Sequence, residues 1–131
     1  MMRRRRDVRR RGEPGMVTAE TAVVMPVLVL IAAMLVWLIG VGIAQVRCVD
    51  AARDAARALA RDEPRAVAAK LARQAAPDGA AVSFTESTGM VEVEVSYAAS
   101  PPGGLLDGLA TWRLVARSAT PTEGSDDVPA S

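Results

Sequence analysis

The sequence predicts an α+β protein: one N-terminal transmembrane helix that continues into an amphipathic helix, then a small extracytoplasmic domain with a short helix and about three antiparallel strands. Three observations predict it. Residues 22–44 form an uncharged apolar run that would rise about 35 Å as a helix at about 1.5 Å per residue, enough to cross a bilayer. Charged residues then return with helical period as far as Arg61. From Val82 onward apolar and polar residues alternate, which is the period of a strand with one wet face.

The chain opens with seven Arg in its first eleven residues, Arg3 to Arg6 and Arg9 to Arg11. Offset by Asp7 and Glu13, they give residues 1–15 a balance of +5, which leaves −4 on residues 16–131 of a chain whose net charge is +1. Clustered Arg beside a span stays on the cytoplasmic side, so the C-terminal part is expected across the membrane. A nucleic-acid-binding arm is the rival explanation, since basic tails supply phosphate contacts. No basic surface accompanies the tail, and the adjoining span accounts for the Arg without a nucleic acid.

The span itself carries two marks. Glu20 stands at its border, and Pro26 lies inside it, where the missing N–H and the ring should disturb the helix around Ala22. Membrane helices tolerate this. Gly40 and Ala44 make a small-xxx-small pair that would let another helix approach. A cleaved secretory signal is the competing reading, with Gly42-Ile43-Ala44 as a site cut after Ala44. Its apolar run is too long for an ordinary h-region, and retention is expected. A lipoprotein is excluded, because Arg47 precedes Cys48 where lipidation wants a small residue.

Beyond the span, Arg47, Asp50, Arg53, Asp54, Arg57 and Arg61 fall within an arc of about 120° at about 100° per residue, with Val49, Ala52, Ala55, Ala56, Leu59 and Ala60 opposite. The pairs Asp50/Arg53 and Asp54/Arg57 add a few tenths of a kcal/mol each. Cys48, the single cysteine, lies away from the charged arc. It either pairs between chains or packs as a small apolar residue; its position favours packing. Pro64 restricts Glu63 and fits the first turn of a second helix over 64–76, with Val67, Ala68, Leu71 and Ala75 on one face. Pro77-Asp78-Gly79 ends it.

Val82 and Phe84, the turn Ser87-Thr88-Gly89, and then Val91, Val93, Val95 and Tyr97 alternating with Glu92, Glu94 and Ser96 predict a hairpin. After the loop Ser100-Pro101-Pro102-Gly103-Gly104, residues 111–120 give a third strand with Trp112, Leu114 and Ala116 on one side and Arg113, Val115 and Arg117 on the other. Arg113 or Arg117 would face Glu92 and Glu94 across the sheet. Residues 121–131 have the composition of a disordered tail. Few large side chains are available for a core: four of the residues are aromatic (two Trp, one Tyr, one Phe), and Ala is abundant.

Catalysis finds little support. With no His and one Cys, neither a His-based triad nor a zinc cluster can be built. Glu92 and Glu94, two apart on a strand, look like a wet face rather than a glycosidase pair. The Pro-Pro-Gly-Gly loop has no helix with a Lys-Ser/Thr pair behind it to cradle phosphate. No catalytic residue, cofactor or metal is expected.

The order of basic leader, Gly15, Met16, four residues to Glu20 and a long apolar helix resembles a type IV prepilin-like signal. Thr18-Ala19-Glu20-Thr21-Ala22-Val23-Val24-Met25-Pro26, a small-residue, Glu, apolar, Pro pattern, is similar to that of TadE-like minor pilins over about residues 12–62. The resemblance implies cleavage by a prepilin peptidase between Gly15 and Met16, a registry role for Glu20 in assembly and a kink at Pro26 that permits local melting. Related major pilins carry an aromatic directly after the Glu, where Thr21 stands here, so an accessory subunit of a Tad-type pilus is implied. Its partners would be the membrane, prepilin peptidase, other pilin-like subunits and the assembly machinery. The division expected is a basic cytoplasmic leader 1–15, a transmembrane helix 16–45, an extracytoplasmic domain 46–120 and a tail 121–131. A membrane-anchored binding or sensor domain that never enters a filament is the alternative.

Overall fold

The computed structural model describes residues 13–101, 103–104 and 111–122. The Arg cluster of the leader and the acidic end of the predicted tail lie outside the described residues. The elements are α1 (Glu13–Ala60), α2 (Arg65–Ala75), β1 (Ala81–Ser87), β2 (Met90–Ala99) and β3 (Trp112–Pro121). Three strands form one antiparallel sheet in the order β1-β2-β3. The predicted α+β arrangement is therefore the observed one.

The chain divides into two compact units, Met1–Val36 and Trp37–Ser131. In the first, the described part is the opening of α1. Its helix passes through Pro26 without interruption, although proline has no N–H to give the Ala22 carbonyl. The most apolar window of α1 has a mean hydropathy of 2.9, and none of it is buried among the described residues. The predicted span 16–45 crosses the division between the units.

The second unit is held by small side chains. Cys48, Ala51, Ala52, Ala55, Ala56 and Ala58 of α1 are buried with Ala68 and Ala72 of α2, Ala76, Val93 and Val95 of β2, and Ala116 of β3. Methyl-sized residues let helix backbones approach closely, so contact replaces side-chain bulk as the source of dispersion energy. Val91, Val93 and Val95 are the largest fully buried side chains with Cys48. Each valine contributes about 1.5 to 3 kcal/mol from burial.

The Ala side and charged side of α1 match the predicted wheel, except that Ala51 and Ala58 are also buried and Ala60 is exposed. On α2 the predicted face is rotated. Val67 is exposed, while Ala68, Ala72 and Ala76 form the buried line with Leu71 and Ala75 packed beside it. The alanine line joins the buried cluster shared with α1 and the sheet, and Val67 does not.

Two connections set the packing. Glu63 N donates to Ala58 O at 3.1 Å, Asp62 N donates to Leu59 O at 3.0 Å and Asp62 has φ +58°, the bonding of a Schellman end with Asp in the position glycine usually takes. The β1–β2 turn is Thr88-Gly89, both with positive φ (42° and 77°), between the paired Ser87 and Met90. That is the twist-matched two-residue loop of a type I′ hairpin.

Candidate functional site

The first turns of α1 carry the predicted processing and assembly residues. Gly15 and Met16 lie in α1, which starts at Glu13. They sit in its first turn, where the leading N–H groups have no helical acceptor. Glu20 follows Met16 by four residues, so the two are neighbours on one face of the helix. A shallow groove there is lined by Val17, Glu20, Thr21, Val24, Met25 and Leu28. Thr21 turns its hydroxyl back to donate to Val17 O at 2.9 Å, which leaves Glu20 as the charged group of that groove. Pro26 stands about 120° around the helix from Glu20, at about 100° per residue. Met16, Val17, Val24, Met25 and Leu28 are all exposed in the single chain. A carboxylate set among exposed apolar side chains is an expensive arrangement in lipid unless something offsets it.

A second cluster lies where the next unit begins. Trp37 donates from Nε1 to the Ser100 carbonyl at 3.1 Å. Its ring meets Trp112 edge to face, with centroids 5.9 Å apart and planes at 71°, a favoured aromatic geometry. Trp37, Gly40, Val41, Ala44, Tyr97, Ala99 and Ser100 line one cleft. The Gly40/Ala44 pair therefore shares its recess with this chain's own strand β2 and does not simply present a bare face to another helix.

Arg47 belonged to the predicted charged arc, yet its work is local. It donates from Nε to Ala75 O at 3.2 Å and from its terminal nitrogen to Ala76 O at 3.1 Å, closing the free carbonyls at the end of α2 and placing a cation at the negative end of that helix. Nothing in the sequence spacing signals this, because the partners are 28 and 29 residues away. Of the two predicted helix pairs, Asp54 and Arg57 approach to 3.9 Å.

Glu92 and Glu94 meet Arg117 as expected from the strand register. Arg117 Nε lies 2.8 Å from Glu94 and 3.3 Å from Glu92. The hydrogen bond to Glu94, and then the charges of Glu94 and Glu92, push the Arg117 pKa up further. The two carboxylates are thus tied to a neighbouring strand as a cross-strand salt bridge. Arg65 of α2 likewise pairs with Glu86 of β1. Cys48 is fully buried, and burial pushes its thiol pKa up against the opposing charge of Arg47.

A family model, TadE-like protein, matches residues 15–57. The chain is TadE-like over this segment. The matched TadE-like segment opens at Gly15, takes in Glu20 and Pro26, and runs through Cys48 to Arg57. It points to a Tad pilus-associated, pilin-like protein with membrane association, in a family of pilus structure and assembly. Comparison with curated proteins and with solved structures finds no match. The TadE-like segment ends within α1, so α2 and the sheet fall outside the matched region.

Proposed function

We propose that this chain is a minor or accessory subunit in assembly of a Tad-type pilus, cut by a prepilin peptidase between Gly15 and Met16 and held in the membrane by α1. Residues 1–15 remain cytoplasmic before cleavage and the sheet domain lies outside. The observation that carries the reading is the placement of Glu20 four residues from Met16 on one exposed apolar helix face. Cleavage would free an amine at Met16, and that amine, of this subunit or a neighbour, would offset the Glu20 carboxylate in a low-dielectric setting. The ion pair then fixes the axial register between subunits. Pro26, with one backbone hydrogen bond already missing, lets the helix melt locally during packing. The protein binds its partners and does not turn them over.

Glu20→Ala tests the reading directly. The variant should insert as well as the parent and accumulate equally, yet lose pili or co-purification with other pilus components, while Glu20→Asp retains part of the function. Mass spectrometry of the parent should find Met16 at the mature N-terminus, and replacement of Gly15 by a bulky residue should leave an uncut, inserted precursor. Normal pili in Glu20→Ala cells, or a mature chain starting at Gln45, would overturn it.

A further inference from the structure

We propose that Trp37 and Trp112 together form an interfacial anchor: the bilayer's apolar core ends at Trp37 and the exposed ring of Trp112 rests among the lipid headgroups on the domain side. The proposal rests on α1 being membrane-anchored, and it does not depend on entry into a pilus. Irregular backbone and open strand ends are not found facing hydrocarbon, because their N–H and C=O groups would lack partners. At Trp37 the helix is already joined to such backbone, through the Ser100 carbonyl it holds at 3.1 Å, and Val41 is buried. The apolar core of the bilayer therefore stops short of this contact, several residues before the apolar composition ends at Ala44.

Length agrees. Residues 16–36 are 21 in number and all exposed, and they rise about 31 Å at about 1.5 Å per residue, close to the roughly 30 Å of a bilayer's apolar core. Chemistry agrees as well. Tryptophan is the side chain that concentrates at the membrane–water boundary, where an apolar ring and a polar N–H are both accommodated. Trp37 and Trp112 are the two tryptophans of the chain, and they are in contact. Trp112 remains 51% exposed, a large apolar ring left uncovered by the described residues. It stands at the start of β3, between exposed Thr111 and exposed Arg113, and Arg113 is suited to phosphate. The occupant that fits a half-covered aromatic at this level is the lipid surface.

The test uses the full chain in vesicles of phosphatidylcholine and phosphatidylglycerol, with 5-fluorotryptophan in both positions and nitroxide-labelled lipids carrying the label either at the headgroup or deep in the acyl chain. Trp37→Phe and Trp112→Phe assign the two fluorine resonances. Both resonances in the parent should broaden severalfold more with the headgroup label than with the deep label, at every protein-to-lipid ratio. Broadening of the Trp37 resonance alone, or of neither, would overturn the proposal and leave Trp112 to water or a second copy. Stronger broadening of both by the deep label would also overturn it, by moving the boundary farther along the helix. Because the parent reports both sites at once, an unstable single variant does not decide the outcome. Loss or retention of pili in Glu20→Ala cells has no bearing on this measurement.

Discussion

A thiol with no exposed surface reacts only when the fold opens, since the reagent must meet a thiolate. Cys48 is such a group. Its neighbours are the alanines of α1 and the sheet interior, and burial raises its pKa despite Arg47. In the folded chain the thiol stays protonated at a pH where the unfolded chain ionises it, near 8.5. Its contribution to stability is therefore complete below that pH and is lost progressively as pH rises past it. The denaturation midpoint of the domain should fall more between about pH 7 and about pH 9.5 in the parent than in Cys48→Ala. Maleimide should label the native protein slowly and the denatured protein at once. Rapid native labelling, or an intermolecular disulfide dimer formed without unfolding, would contradict this placement.

The β1–β2 hairpin stands or falls on two turn residues. Both need positive φ, and Thr88 meets the demand with a β-branched side chain, at a cost of about 1 to 2 kcal/mol for a left-handed L-residue. Thr88→Asn should raise stability by about 0.5 to 1 kcal/mol, since asparagine suits this conformation. A Cβ at Gly89 would meet nothing within 4 Å, so Gly89→Ala should lose about 1 to 2 kcal/mol from conformation alone. Urea titration of the two variants against the parent separates the outcomes. The sequence made this element legible because Ser87-Thr88-Gly89 interrupts two alternating runs, just as Pro64 and Pro77-Asp78-Gly79 bracket α2. What stayed hidden has a common cause, which is dependence on distant partners. The phase of α2 is set by which of its residues enter the cluster shared with α1 and the sheet, and Val67 is not among them. Arg47 reads as one more charge on a wet stripe until the end of α2 is folded beside it. Asp62 ends α1 in a conformation that glycine advertises and aspartate does not.

Across the whole molecule, charge asymmetry carries the strongest expectation. Residues 1–15 hold seven Arg, and the short polar segment before a span governs its orientation. A reporter active only outside the cytoplasm, fused after Ser131, should be active, and replacing most of the seven Arg by Gln should reduce that activity severalfold. A silent reporter on a stable, inserted fusion would reverse the topology. The candidate position of Glu20 stands out in the sequence because a carboxylate among apolar residues is conspicuous by itself. Composition alone does not say which of residues 37–44 face lipid, because it is the same for a lipid-facing helix and a helix packed on protein.

The Trp37 contact also bears on whether the sheet domain could be released from its helix. Proteolytic shedding at the small-residue site after Ala44 would release a chain that begins at Gln45, without Trp37, Gly40, Val41 and Ala44. The free fragment would present Tyr97, Ala99 and the Ser100 carbonyl to water where a helix had covered them, and Trp112 would lose its ring partner. The domain has no seam at that point. A stable released domain must keep two further turns of α1, whose outer side carries Leu38, Ile39 and Ile43 exposed, and such a fragment would be sticky in water. Tether and domain are shared material, so a sheddable form is disfavoured by the packing itself.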